Sequence, residues 1–447
     1  MLRIIKQNKR RSITSFRIII LSFLALILIG TVLLMLPISS REHCVTSLSD
    51  ALFTSVSATC VTGLVVKDTA TYWSLFGQGV ILVLIQIGGM GVIAIGLAVM
   101  RASGMKIGLR HRSIMQESIS APNVGGMVRL TGFILKTAII IELTGAVVLF
   151  PVFCNDFGVA KGIWYSLFHS VSAFCNAGFD LLGVRKPFSS LTTYSGHIYV
   201  NCVIMLLIVF GGIGFLVWSD IKTHKHKIKR YSLQSKIVLF TTLILIVLPA
   251  LYFFFAEYGN LRLPDRIISS FFQSVTTRTA GFNTQDLSEM NESGSMIMIV
   301  LMLIGGSPSS TAGGMKTVTF AVLCLSAITV FSRKKDVQCF KRRISDETVR
   351  SAGVVFFMYL VLFFSSGMII SIAEGLPLIS CLFETSSAIG TVGLSLGITT
   401  ELSMLSRIIL MFLMFFGRVG GLTLIYAALP SSNSKNSRLP LERISIG

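Results

Sequence analysis

Charge is scarce in this sequence, and acidic charge is scarcest. Only 13% of the 447 residues are Asp, Glu, Lys or Arg, with 20 acidic side chains against 39 basic ones. A chain that is 53% hydrophobic with a mean hydropathy of +0.78 cannot cover a soluble surface of this size. Metal and redox signatures are missing too. The eight cysteines fall singly, with no Cys-x-x-Cys and no Cys/His spacing, so neither a zinc site nor a disulfide scaffold is implied. One disulfide, between Cys44 and Cys154 near expected outer helix ends, stays open; Cys60 and Cys175 read as small polarizable fillers. There is no HExxH, no G-K-[ST] phosphate loop and no apparent soluble catalytic region. These absences exclude a soluble enzyme and leave an integral membrane protein.

What is abundant is apolar sequence in membrane-length blocks. Crossing a ~30 Å hydrocarbon core takes about 20 residues of helix. Candidate spans run at Phe16–Leu36, Trp73–Met100, Thr131–Phe153, Ile198–Trp218, Ile237–Tyr258, Met296–Val330, Val354–Ile372 and Met404–Leu429. The first follows a basic stretch without a small-residue cleavage site, so it reads as a retained helix. The net charge of +19 sits in alternate connections: the N-terminal tail, Arg101–Lys136, Lys222–Lys236, Arg333–Arg350 and the C-terminal tail. Intervening segments hold acidic residues such as Asp286, Glu289 and Glu292. This bias predicts both termini in the cytoplasm and argues against nucleic acid as a partner. Basic loops also suit anionic lipid headgroups of a cell membrane.

Four short turns repeat along the chain: ATCVTGL at Ala58–Leu64, AFCNAGF at Ala173–Phe179, Thr277–Phe282 within TTRTAGF, and AIGTVGL at Ala388–Leu394. Their glycines, Gly63, Gly178, Gly281 and Gly393, lie 115, 103 and 112 residues apart. Before each turn comes a segment too short to span but suited to a half-crossing: Ser49–Thr59, Ile163–Phe174, Arg266–Thr277 and Ile379–Ile389. Irregular backbone at membrane depth is tolerated only where it is buried in protein or lines a water-filled cavity. Glycine-rich clusters in the following spans, at Ile87–Gly91, Gly211–Gly214, Ile304–Ser307 and Gly417–Gly421, read mainly as close helix packing. The expected fold is therefore all-α and membrane-embedded: four helix–half-helix–turn–helix repeats, with eight spanning helices around a pseudo-fourfold pore. The repeats fall at residues 1–100, 101–220, 221–335 and 336–447.

Such turns suit a dehydrated cation, because carbonyl oxygens replace its water without trapping it as a full charge would. Pointing successive carbonyls at one axis needs unusual dihedrals, which glycine adopts at least cost. The predicted ion-binding residues are Val61, Thr62 and Gly63; Asn176, Ala177 and Gly178; Thr279, Ala280 and Gly281; and Thr391, Val392 and Gly393. The last set contains Thr-Val-Gly, the core of a potassium-filter loop. The sixth span is broken by GGSPSSTAGGMKT, whose four glycines and proline make a continuous helix costly. Gly305, Gly306, Ser307, Pro308, Ser309, Ser310, Thr311, Ala312, Gly313, Gly314 and Lys316 are thus candidate gate residues, with a passive packing kink as the alternative. Arg418 is deep in the last span, where a charge faces a cavity or a partner; it is expected to bond loop carbonyls or to oppose cation passage. Arg278 is expected to pair with a carboxylate, Glu384 or Asp180. Lys136 is expected to snorkel, and Glu142 has no assigned role.

In combination TTRTAGF, NAGFD and GTVGL resemble the Trk/Ktr/HKT superfamily of potassium transporters over essentially the whole chain, most closely its bacterial Ktr-type membrane subunits. The resemblance implies potassium as substrate, sodium stimulation, an intramembrane gating loop opposed by the arginine at 418, and no catalytic residues or covalent cofactor. It also implies a homodimer carrying a cytosolic, KtrA-like ring of nucleotide-binding (RCK) regulatory subunits. Arg333–Arg350 and the tail after Pro430 are the candidate docking surfaces. Two rival readings stay open: a channel-like subunit of an ATP-driven potassium pump, and a non-transporting membrane protein whose glycines serve packing alone.

Overall fold

The computed structural model of the protein describes residues 15–103, 108–119 and 125–428. Both terminal tails, including the docking surface expected after Pro430, lie outside the described residues. Helices follow one another in a recurring order. The first group is α1 (Ser15–Met35), the short α2 (Leu48–Thr59), α3 (Leu75–Met90) and α4 (Val92–Ala102), with α5 (Leu109–Ile119) as a connection. The second is α6 (Met127–Phe157), α7 (Val159–Cys175), α8 (Ile198–Ile213) and α9 (Phe215–His224). The third is α10 (Leu233–Tyr252), continued by a π-helical turn at Phe253–Glu257, then α11 (Leu263–Thr276), α12 (Glu292–Leu303) and α13 (Thr317–Phe331). The fourth is α14 (Asp346–Glu374), α15 (Leu378–Gly390), α16 (Met404–Val419) and α17 (Gly421–Ala428). The one sheet among the described residues is a hairpin, β1 (Gln338–Cys339) with β2 (Arg342–Arg343), in the basic Arg333–Arg350 connection.

Local chemistry sets these boundaries. Serines cap helix starts by accepting a backbone N–H: Ser47 for α2, Ser74 for α3, Ser232 for α10 and Ser345 for α14. Among the described residues four helices are long and apolar enough to cross a membrane alone, α1, α6, α10 with its π extension and α14. The pairs α8–α9 and α16–α17 qualify only together, each bent by 92°. The protein is thus a multi-pass helical membrane protein.

Three of the blocks expected as single spans are interrupted. Trp73–Met100 breaks at Gly91 (φ 89°), Ile198–Trp218 at Gly214 (φ 103°) and Met404–Leu429 at Gly420 (φ 90°). A positive φ ends the helical hydrogen-bond ladder, and glycine takes it without steric penalty. The sixth block is interrupted as well, between α12 and α13. The glycine clusters therefore do two things, breaking the helix and packing it.

Their packing role is visible one turn earlier. A Cβ on Gly88 would strike the Thr59 carbonyl, one on Gly211 the Phe174 carbonyl, and one on Gly417 the Ile389 carbonyl. The C-terminal ends of α2, α7 and α15 thus rest directly on α3, α8 and α16. Hydroxyls hold the short helices from the other side: Ser55 Oγ donates to the Ile27 carbonyl at 2.7 Å, Ser170 Oγ to Glu142 at 2.6 Å and Ser274 Oγ to Ile246 at 2.7 Å. Small residues and interhelical hydrogen bonds are what hold helices together where lipid removes the hydrophobic drive. Phe53, Phe168, Phe272 and Phe383, one on each short helix, are fully buried and complete the packing. The short helices are 12, 17, 14 and 13 residues long, so all run past the expected segments, α7 the furthest. All eight cysteines are free, and the disulfide left open between Cys44 and Cys154 is not formed.

Gly211→Ala should destabilise the protein by about 1–3 kcal/mol through overpacking against Phe174. Gly353→Ala, on α14 with nothing within 4 Å of the added Cβ, should stabilise it by up to about 1 kcal/mol. Thermal-melting midpoints in detergent check both signs.

Candidate functional site

Each short helix ends in the same backbone signature. Val61 (φ 57°), Asn176 (φ 60°), Thr279 (φ 71°) and Thr391 (φ 51°) are left-handed although none is glycine. Two residues on, Gly63 (φ 94°), Gly178 (φ 69°), Gly281 (φ 77°) and Gly393 (φ 93°) are again positive. The residues between, Thr62, Ala177, Ala280 and Val392, are not. Alternating the sign of φ turns successive carbonyls to one side instead of opposite sides. Strain of this kind persists only where surroundings over-determine it, and here hydrogen bonds do so. The N–H groups of Thr62, Ala177 and Val392 donate to the carbonyls of Ser57, Ser172 and Ser387 at 2.8 Å, and that of Ala280 to Thr276 at 2.9 Å. Side chains tie each turn from behind. Ser57 and Ser387 accept from the N–H of Gly63 and Gly393 at 3.1 and 3.0 Å, whereas Ser172 and Thr276 donate to the Phe179 and Phe282 carbonyls.

The four turns converge. A Cβ on Gly63 would meet the Ala177 carbonyl, one on Gly178 the Ala280 carbonyl at 2.8 Å, one on Gly281 the Val392 carbonyl, and one on Gly393 the Thr62 carbonyl. Each turn touches the next and the last touches the first, which closes a ring. On one side of the ring is a cavity of about 210 Å³ lined by all four glycines together with Asp68, Asp180, Asn283 and Thr399.

On the other side stands the segment between α12 and α13. Gly313 abuts the Thr391 side chain and Gly314 lies against the Gly390 carbonyl. Backbone bonds pin the segment: Ser307 N–H to Gly212 O at 3.1 Å, Thr311 N–H to Gly211 O at 3.3 Å and Gly314 N–H to Gly417 O at 3.1 Å. Within it, Gly305 N–H donates to Met315 O and Gly306 N–H to Gly313 O, while Ser310 Oγ donates to Ser307 O. Ser309 O accepts from Phe215 N–H at 2.6 Å, and the Pro308 carbonyl fills the space beside Gly214. Lys316 Nζ donates to Ala312 O at 2.8 Å. Thr311 Oγ1 also donates to Phe174 O at 3.0 Å, a contact no sequence pattern signalled. Arg418 completes the layer. Its Nη1 donates to the Thr311 carbonyl and its Nη2 to those of Gly88 and Gly89. The expected bond from arginine to loop is thus present, and the same guanidinium reaches across to α3. A second cavity, of about 270 Å³, begins beneath this layer and is lined by Gly314, Lys316 and Arg418.

The expected partner of Arg278 is not there. The side chain is 4% exposed, and its Nε and Nη2 have no hydrogen-bond partner among the described residues. Both proposed carboxylates are engaged elsewhere: Glu384 accepts from Ser395 and from Thr399 Oγ1, and Asp180 Oδ1 accepts from Leu182 N–H at 2.9 Å. Gly393–Gly397 spells G-x-S-x-G, yet Ser395 donates to Glu384 rather than to a histidine, so the motif is not a nucleophile elbow here.

Residues 3–437 match the family model described as TrkH, cation transport protein. The chain belongs to this family. Its members are transporters rather than enzymes. Among relatives, the potassium/sodium uptake protein NtpJ of Enterococcus hirae is 38% identical over 99% of this chain and 100% of its own length. The Ktr system potassium uptake protein B of Bacillus subtilis is 39% identical over 95% of both chains. The crystal structure of the potassium transporter TrkH from Vibrio parahaemolyticus matches with a TM-score of 0.73 at 18% identity, covering 95% of this chain and 86% of that one, a likeness of fold.

Arg418→Gln removes the forked donor that ties the α12–α13 segment to α3. With the exposed thiols of Cys44, Cys202 and Cys324 replaced, a cysteine introduced at Ser310 should then react with a soluble thiol reagent about tenfold faster than when Arg418 is present. Equal labelling rates would mean that the arginine does not hold the segment.

Proposed function

We propose that the chain is a potassium-uptake protein of the plasma membrane. It forms one pseudo-fourfold pore from four repeats at residues 1–100, 101–220, 221–335 and 336–447. In this reading eight helices or broken helices span: α1, α3–α4, α6, α8–α9, α10, α12–α13, α14 and α16–α17. The short helices α2, α7, α11 and α15 are re-entrant. One observation carries it, the closed ring in which every turn's glycine lies against a carbonyl of the next turn. A dehydrated monovalent cation needs such a ring of neutral oxygens. The ion-binding groups are the carbonyls of the four predicted triplets, ending at Gly63, Gly178, Gly281 and Gly393. Relatives named as potassium or potassium/sodium uptake proteins support the substrate, with sodium as a coupled or stimulating ion. Uptake is driven by the sodium gradient or by the membrane potential, worth about 2.3 kcal/mol per charge per 100 mV.

The 305–317 segment is the gate. It stands between the ring and the second cavity, held on three sides by backbone bonds and by Arg418. Relatives named as parts of a Ktr system support an assembly with regulatory subunits. We assign it as a homodimer on a cytosolic, KtrA-like ring of nucleotide-binding subunits. The basic Arg333–Arg350 connection with its β1–β2 hairpin faces that ring, and both termini are cytoplasmic.

Expression in cells lacking potassium uptake tests the substrate. The wild-type chain should restore growth at low external potassium, and Gly281→Ser, which drives a side chain into the Val392 carbonyl from a φ of 77°, should abolish it. No potassium uptake by the wild type would sink the proposal. Deleting 307–313 should raise the maximal potassium flux several-fold if the segment is the gate; unchanged flux in a folded deletion protein would reject gating.

A further inference from the structure

Behind the second turn lies a polar cluster whose carboxyl and amide have no counterpart at the equivalent positions behind the first and third turns. Glu142, on α6, is 4% exposed. Its Oε2 accepts from Gln86 Nε2 of α3 at 3.0 Å. The Cys175 thiol lies 3.6 Å from Gln86 Oε1 and 3.9 Å from Glu142 Oε1, within reach of both acceptors. Cys175 immediately precedes Asn176, the left-handed residue that opens the turn. From the opposite side Gly89 confines the thiol: a Cβ there would stand 2.7 Å from Cys175 Sγ. The Gly89 carbonyl in turn accepts from Arg418.

Equivalent positions can be located from the contacts already described. The serine that donates to the Glu142 carbonyl has counterparts that donate to Ile27 and Ile246. Gln86 stands two residues before Gly88, and two residues before Gly211 and Gly417 stand Val209 and Phe415. Isoleucine, valine and phenylalanine therefore satisfy the packing at these places. A buried carboxyl inside a spanning helix is expensive, and residues of that kind cluster where ions or substrates are handled. Packing does not account for a carboxyl and an amide placed together at one turn, both aimed at the residue that enters it.

We propose that Glu142 is a specificity-determining positioning residue. With Gln86 it fixes Cys175, and through Cys175 the orientation of the Asn176 and Ala177 carbonyls, so that the second turn sets how closely the ring fits the transported ion. This rests on reading the ring as the ion-selecting filter. Buried polar groups that pair with one another hold one geometry more rigidly than apolar contacts do.

The test is potassium uptake, with and without competing sodium, by potassium-uptake-deficient cells expressing the full chain as wild type, Glu142→Gln, Glu142→Ile or Gln86→Val. Glu142→Ile and Gln86→Val should each raise the half-saturating potassium concentration about tenfold and lower potassium-over-sodium preference about tenfold, with the maximal rate kept within about threefold. Glu142→Gln, which retains an acceptor and the shape, should stay within about twofold of wild type on both measures. Wild-type half-saturation and preference in Glu142→Ile and Gln86→Val would overturn the proposal, and so would a loss in Glu142→Gln equal to that in Glu142→Ile. If Glu142→Ile does not reach the membrane folded, Gln86→Val decides by the same two readouts. A wild type that takes up potassium without preference over sodium sinks the filter reading itself, a result distinct from any difference among the variants.

Discussion

The constraint on which the rest of the structure depends is the approach of four backbones to one axis. Carbonyls can be presented there only if the chain alternates between left- and right-handed conformations and carries no side chain where neighbours touch. Gly63, Gly178, Gly281 and Gly393 meet both demands. Everything around them resists relaxation. Short helices end against glycines of the following helices, hydroxyls clamp them to the preceding ones, and buried phenylalanines fill the space between. A strained main chain survives in the buried interior because its N–H groups are spent on the helix that precedes it.

The layer beneath the ring is built differently. The 305–317 segment has hardly any secondary structure of its own; besides a few internal bonds, its hydrogen bonds go to the broken ends of α8 and α16 and to the tip of α7. Those broken ends exist because Gly214 and Gly420 interrupt their helices, which leaves carbonyls near the breaks available to outside donors. Helix breaks and the 305–317 segment are thus complementary, each supplying the partners the other lacks.

Much of this was legible in the sequence. The turns, the short helices before them and the break between α12 and α13 follow from polar, glycine-bearing stretches inside apolar sequence, and the glycine spacing announces the repetition. The bends at Gly91, Gly214 and Gly420 were not legible, because one glycine within an apolar helix reads equally as a packing contact and as a break; its φ depends on what lies opposite. The isolation of Arg278 was hidden for a related reason. A charge in an apolar block calls for a partner, but whether Glu384 or Asp180 is free depends on the hydroxyls of Ser395 and Thr399 and on the Leu182 N–H, which no sequence pattern announces. Glu142 was visible as an anomaly, while its convergence with Gln86 and Cys175 arises from three separate helices.

Arg418 occupies the place that Gly89 and Gly212 hold in the first and second groups, one residue beyond the glycine that meets a short helix. In an assembly of four identical subunits a guanidinium at that place would come in fours, and the mutual repulsion of the set would make their burial side by side costly. Joining the quarters on one polypeptide removes that stoichiometric restriction. A single positive group can then stand to one side, anchored by three main-chain oxygens, while Gly89 and Gly212 stay small.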